Sequence, residues 1–322
     1  MGSSLCFMSE KPSPRYEHIP VLGREVVEAF NQPGARRILD GTLGLGGHAE
    51  LLLQRYPELT IVGFDWDTKA LEIARQRLAP FAGRARIVEG NYADALDWMS
   101  NERVGPVDGI LVDLGLSSLQ LSDSDRGFSF LRPGPLDMRM SRFLPRTAWD
   151  LIHDLDEGQL AELIFKWGEE PRARKIAQAL KEALRHQSLK NDALEIATCI
   201  RRALSFAQGR IDPATRSFQA LRMGVNGELD NLDRLLTQLP NILSPGGRAA
   251  IISFHSLEDR RVKRAFHEAA KDCLCPPQAP RCECQHKAWA RLLPRKAIQP
   301  RASEIQENPR ARSARLRLLE KL

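Results

Sequence analysis

The sequence predicts an α/β fold: a mostly parallel sheet into which a block of helices has been inserted. Three observations carry this. Short apolar runs that end in aspartate alternate with helix-periodic segments through the first third of the chain. A long stretch without strand character follows. Then, after Pro245-Gly246-Gly247, a buried strand returns at Arg248 to Phe254.

The elements follow in order. Arg37 to Asp40 is a strand. Four glycines (Gly41, Gly44, Gly46, Gly47) make a tight turn, and Ala49 to Leu53 opens a helix. Glycine reaches backbone angles closed to other residues and lets a ligand approach the main chain. The helix start adds free N–H groups and a positive dipole end. Thr60 to Asp65 is the second strand, and Asp65 stands nineteen positions after Gly46, where an acid suits a pair of ribose hydroxyls. Thr68 to Leu78 is a helix with Leu71, Ala74 and Leu78 on one face, and Ala85 to Glu89 and Gly109 to Asp113 are strands three and four. Ligands of such sheets sit at the carboxyl ends of the strands, so Asp40, Asp65 and Asp113 are expected on one rim.

From Leu121 to Leu144 the chain is rich in Arg, Gly, Pro and Asp and reads as a long functional loop. Helices then run from Thr147-capped Ala148 to Leu155, Asp156-capped Glu157 to Trp167, Pro171 to Arg185, Asp192 to Leu204, Ala214 to Met223 and Asn226 to Leu239. The expected division is a disordered extension (1–16), a discontinuous sheet domain (17–122 and 218–322) and an inserted helical domain (123–217).

Several segments carry chemical potential. Asp113 ends strand four beside Gly115, where a carboxylate can accept a hydrogen bond from an amine, orient a nucleophile or simply cap a helix. Arg126-Gly127-Phe128-Ser129-Phe130 and Asp137-Met138-Arg139 mix aromatics with arginines, which suits base stacking and phosphate contact; the alternative is that the phenylalanines plug the core. Ser253 and His255 follow the last rim strand, as active-site groups or as satisfied structural ones. Cys273, Cys275, Cys282 and Cys284 form C-x-C-x6-C-x-C, which in a reducing compartment favours a structural zinc over disulfides, although C-x-C is tighter than the usual C-x-x-C knuckle. No Walker loop, Ser-His-Asp order or H-E-x-x-H motif is present.

Charge is distributed unevenly. The 322-residue chain has a net charge of +6, yet Gln285 to Leu322 holds ten Lys/Arg against three Asp/Glu, so the rest is close to neutral. A tail with Arg310, Arg312, Arg315 and Arg317 suits a polyanion; the alternative is a solvated surface strand and helix. The apolar content of 43% fits a globular chain, no run is long enough for a membrane span, and the polar N-terminus has no secretory pattern. Cys6 stands where a myristoylation motif needs Ser or Thr. A cytoplasmic protein without membrane contact is expected.

Long segments resemble the MraW family of bacterial small-subunit ribosomal RNA methyltransferases. They are H-I-P-V-L (18–22), D-G-T-L-G-L-G-G-H (40–48), D-G-I-L-V-D-L-G-L-S-S (108–118), R-G-F-S-F (126–130), G-P-L-D-M-R-M (134–140), R-S-F-Q-A-L-R (216–222), S-F-H-S-L-E-D-R (253–260) and E-N-P-R-A-R-S-A-R-L-R (307–317). The resemblance implies a class I, Rossmann-like methyltransferase domain with a helical insertion. It implies S-adenosylmethionine as cofactor and the exocyclic N4 of a decoding-centre cytidine in 16S rRNA as acceptor. By motif, Gly46, Gly47 and His48 approach the methionine part, Asp65 the ribose and Tyr92 the adenine, with Asp113 and Gln120 completing the pocket. Asp113, Ser117, Ser253 and His255 are the candidates for handling the proton. Arg126, Phe128, Phe130, Arg139, Arg310, Arg312 and Arg315 are the candidates for RNA contact. No metal is required. The expected partner is the small ribosomal subunit, and a monomer or weak homodimer is expected. An NAD-dependent oxidoreductase and a non-catalytic ribosome-assembly factor are the alternatives.

Overall fold

The computed structural model describes residues 19–204, 212–276, 278–279 and 281–322. The expected extension and His18 of the first motif lie outside them. A short helix α1 (Gly23–Ala29) leads into β1 (Arg37–Asp40), α2 (Gly47–Arg55), β2 (Thr60–Asp65), α3 (Thr68–Leu78), β3 (Ala85–Glu89), α4 (Ala95–Asn101) and β4 (Val107–Asp113). Asp65 and Asp113 end their strands at the rim, where a polar side chain meets the cleft, while Asp40 is buried. In register, Asp40 faces Gly63 on β2 and Leu111 on β4, so Asp65 and Asp113 project two residues further along the same edge.

After β4 come a one-turn helix α5 (Ser118–Ser122) and the long loop, then α6 (Ala148–Asp154), α7 (Glu157–Gly168), α8 (Ala173–Arg185), α9 (Ala193–Ala203), α10 (Ala214–Asn226) and α11 (Glu228–Ile242). The expected caps are in place. Thr147 and Asp156 form capping boxes with Asp150 and Gln159, and Asp192 caps α9. One buried cluster runs from Phe128 through Leu160, Ile176 and Ile196 to Leu221, so α10 belongs to the helical layer. The expected boundary at 217/218 therefore falls inside a helix. The break comes at Gly227, whose φ of 60 turns the chain from α10 into α11.

The strand β5 (Leu243–Ser253) starts five residues before the expected position. Leu243 pairs with Val107, and the register then shifts so that Arg248 pairs with Gly109. Helix α12 (Ser256–Ala269), strand β6 (Ala290–Leu292), helix α13 (Ala302–Glu307) and strand β7 (Arg315–Lys321) complete the chain. The seven-stranded sheet has the order β3-β2-β1-β4-β5-β7-β6, with β7 alone reversed. Alternate residues feed two cores, one per face. Ile38, Leu111 and Ile252 pack with α1, α2 and α3, while Leu39, Val112 and Ile251 pack with α4, α11 and α12. Among the described residues no helix is long and apolar enough to cross a membrane.

The last two strands lie in the tail, where the sequence offers a surface strand and helix without bounds. In β7, Leu316 and Leu318 point inward while Arg315 and Arg317 reach Asp259 on α12. Two of the tail arginines are therefore paired within the molecule.

A candidate cofactor and substrate cleft

The cleft lies where the strand ends and the helical layer meet, with about 1250 Å³ of space that opens to solvent. Its floor is the glycine turn. Gly46 adopts the left-handed conformation (φ 78) as the residue before α2, and a side chain on it would press on Leu78. Gly46 thus shapes the turn from behind, and Gly44, Gly47 and His48 are the residues that face the cleft. Asp65 holds the turn from the other side: its Oδ2 accepts from the Gly44 N–H at 2.8 Å and its Oδ1 from the Asp67 N–H at 2.9 Å. Burial pushes this carboxyl up to about 6 against the pull of those two donors. A carboxylate has about four lone-pair sites, so two stay open for hydroxyl donors.

His48 and Asp113 supply the most informative atoms. His48 is only 8% exposed, and neither ring nitrogen has a hydrogen-bond partner among the described residues; Oδ1 of Asp113 is orphaned likewise. His48 Nε2 stands 3.6 Å from Asp113 Oδ2, too far for a good hydrogen bond. Buried polar atoms without partners are costly, and the two residues that carry them line the cleft. Asp113 is fixed through its backbone, which donates to Thr42 Oγ1 at 2.6 Å. Asp40 stays beneath this surface, pushed up to about 7 by burial.

Gln120 is buried and committed. Its Oε1 accepts from the Ser117 N–H, and its Nε2 donates to Asp67 Oδ2 at 2.9 Å. Ser117 lines the cleft and caps α5. Asn91 and Tyr92 form the adjoining wall. Burial, reinforced by Glu228, Glu258 and Asp233, pushes the Tyr92 phenol up, so it remains a donor at neutral pH.

The opposite wall holds groups that the sequence reading missed: Glu228, Asn231 and Glu258. Glu228 begins α11 and takes two bonds from Arg222, at 2.8 and 2.9 Å, yet burial still raises its carboxyl. Burial also works to raise Glu258, but His255 and the Phe254 N–H outweigh it and leave this carboxyl below the usual range. His255 caps α12 and stands 3.1 Å from Glu258 Oε1, which makes it a partner of Glu258 rather than a group facing the cleft. Ser253 does not reach the cleft. It is buried, and its hydroxyl turns to the Arg315 carbonyl.

The match to known proteins is extensive. The model of the MraW methylase family matches residues 15–322. A protein of Anaeromyxobacter sp. (strain Fw109-5) named ribosomal RNA small subunit methyltransferase H is 47% identical over 96% of this chain and 99% of its own. Proteins of the same name from Geobacter sulfurreducens and Syntrophobacter fumaroxidans are 45% and 43% identical, covering 95% and 97% of this chain and 99% and 98% of theirs. The chain belongs to the MraW methylase family.

As an MraW methylase, the chain has the α/β fold with a helical insertion that its motifs implied. The motif arginines and aromatics make contacts inside the chain, and the phenylalanines follow the core-plugging alternative. Arg126 is 5% exposed. It pairs with Asp67 at 3.0 Å and donates to the carbonyls of Arg139 and Met140. Phe128, 6% exposed, sits in the helical core. Phe130 packs edge-on against Phe218, with ring centroids 4.9 Å apart, beneath Arg201. Arg139 grips Asp137 with two donors and reaches the Leu144 carbonyl. Arg126 and Phe128 are buried and so take structural roles, Phe130 and Arg139 are half-buried with partners inside the chain, and Arg315 pairs with Asp259 while its side chain stays half exposed. These residues weld the loop, which Asn226 secures from α10 by bonding Met138 and Met140. Gly127 is needed there: at φ 64, a side chain would strike the Pro135 carbonyl. Of the tail arginines, Arg310 reaches the cleft, donating to Ser118 Oγ at 2.5 Å, and Arg312 is exposed.

Proposed function

We propose that the chain transfers a methyl group from S-adenosylmethionine to the exocyclic N4 of a decoding-centre cytidine in small-subunit 16S rRNA. One observation carries this reading: a single cleft combines His48 and Asp113 on the glycine-turn side with Glu228 and Glu258 opposite. The names of the relatives agree with an rRNA acceptor.

On this reading Asp65 accepts from the ribose hydroxyls, and Asn91 and Tyr92 flank the adenine. Gly44, Gly47 and His48 border the methionine part, with Gln120 holding the Asp67 side of the pocket. The cofactor, when bound, supplies an electrophilic methyl on a sulfonium. The protein has to place a weakly nucleophilic amine in line with it, which is chiefly proximity and orientation. The Asp113 carboxylate accepts an N–H of the amine, which frees its lone pair and favours the positive charge that develops on it. Glu258, held ionised by His255, and Glu228, raised by burial, form a carboxylate pair with separated affinities, suited to receiving the amine and its departing proton. Ser117 borders the same space. The base must leave its stack to arrive here. Phe143, 84% exposed, follows the cleft residue Met140 in the chain and carries the stacking role first assigned to Phe128, with Arg142, Arg146, Arg310 and Arg312 for phosphates.

The test is methyl transfer from labelled S-adenosylmethionine to small ribosomal subunits that lack the modification, with the nucleosides resolved by mass spectrometry. N4-methylcytidine is expected. Label on another nucleoside would overturn the acceptor, and RNA binding without any label would favour the assembly factor.

A further inference from the structure

We propose that the turn joining α12 to β6 is a structural zinc site with Cys273, Cys275, Cys282 and Cys284 as its four ligands. The four sulfurs lie within 4.8 Å of one another. Cys273 and Cys282 are 3.4 Å apart, and Cys284 is 3.7 Å from each of them. Zinc–thiolate bonds of about 2.3 Å in a tetrahedron put neighbouring sulfurs roughly 3.8 Å apart, so one ion fits among these four. A disulfide requires about 2.05 Å, and all four are free thiols. The spacing now has an explanation. Residues i and i+2 of an extended chain face the same way, so each C-x-C arm presents two sulfurs, and two opposed arms supply four.

The surroundings match those of a ligated thiolate. The N–H groups of Leu274, Cys275 and Glu283 point at Cys284, Cys273 and Cys275, at 3.3, 3.4 and 3.4 Å. Such donors orient sulfur ligands and spread their charge. Lys271, Arg281 and Lys287 flank the loop in sequence and offset the charge of a tetrathiolate. His286 is not needed as a ligand, since its Nε2 meets the Glu268 carbonyl at 3.0 Å.

None of the described residues between 271 and 288 contributes to a hydrophobic cluster. Yet the chain must return accurately: the Trp289 N–H meets the Ala269 carbonyl at 3.0 Å, and β6 starts at once with the buried Ala290. A small loop without a core is where a metal clip contributes most. Four protein ligands leave no open position, and none of the cysteines borders the cleft, so the role is structural.

The test uses the full chain, produced with zinc in the medium and purified under reductant without chelator. Elemental analysis is expected to give about one zinc per chain, as a closed four-ligand site requires. Cobalt substitution should give the visible and near-ultraviolet bands of a tetrahedral tetrathiolate. Cys273→Ser/Cys282→Ser should lose at least nine-tenths of the zinc and be cut faster by protease between residues 270 and 289. Its affinity for S-adenosylhomocysteine should stay within about threefold. Protein purified without zinc although its four loop cysteines are reduced, unchanged zinc in the double variant, or a cobalt spectrum of mixed nitrogen and sulfur ligation would each overturn the proposal. The wild-type metal content and cobalt spectrum decide the matter even if the variant fails to fold.

Discussion

Asp65 concentrates the residue-scale chemistry. Its two backbone donors fix its direction, and burial raises it to about 6, above the ordinary 3.8. The native state therefore holds this proton more tightly than the unfolded chain. From this group alone, ligand-free stability falls as pH rises from 3.8 to about 6 and is flat above. Ribose binding has the opposite sign, because only the ionised form accepts from both hydroxyls. Affinity for S-adenosylhomocysteine, followed by calorimetry, should be constant above about pH 7 and weaken as pH falls through 6. Asp65→Asn should remove that dependence and weaken binding about 100-fold, as expected for two lost charged hydrogen bonds. Glu258 belongs to the other half of the reaction. Glu258→Gln should lower kcat about 100-fold while cofactor affinity changes by less than about threefold. An unchanged kcat would remove Glu258 from the chemistry.

The long loop decides matters at the level of elements. Asp67 is buried among Gln120, Arg126 and the Lys69 N–H, so it joins β2, α5 and the start of the helical layer. Arg126→Ala leaves that carboxylate with an uncompensated charge and should cost about 3 kcal/mol in denaturant unfolding. Phe128→Ala empties part of the helical core and should cost about 3–5 kcal/mol. Phe143→Ala should leave stability within about 0.5 kcal/mol and weaken binding to small-subunit RNA instead. The contrast between the two phenylalanines shows what was legible in the sequence. Strand and helix positions followed from apolar period and caps, because those signals are local. An arginine–aromatic loop reads the same whether its side chains face RNA or lock one another in place. Only the partners Asp67, Asp137 and Phe218, all distant or ambiguous in sequence, separate the two. The burial of β7 was hidden similarly: its alternation of Leu316 and Leu318 with Arg315 and Arg317 reads as a solvated strand because of its charge. Glu228 and Glu258 were invisible as a pair, since α11 and α12 meet only after β5 crosses between them.

At the scale of the whole molecule, insertion places chemistry. The chain leaves the sheet after β4, builds a separate helical core and returns at Gly227, so Glu228 arrives opposite the ends of β1, β2 and β4. The C-terminal strap closes the remaining side: Glu304 accepts the Leu22 N–H, and Arg310 meets Ser118. The central claim is that these remote segments assemble one pocket for a sulfonium nucleoside. It is tested most directly by isothermal titration of the full chain with S-adenosylhomocysteine, with NAD as the control ligand and Asp65→Asn as the control protein. One S-adenosylhomocysteine should bind per chain, NAD should not bind, and the variant should lose most of the affinity while keeping its melting temperature. Binding of NAD in its place, or undiminished binding by a folded Asp65→Asn protein, would contradict it.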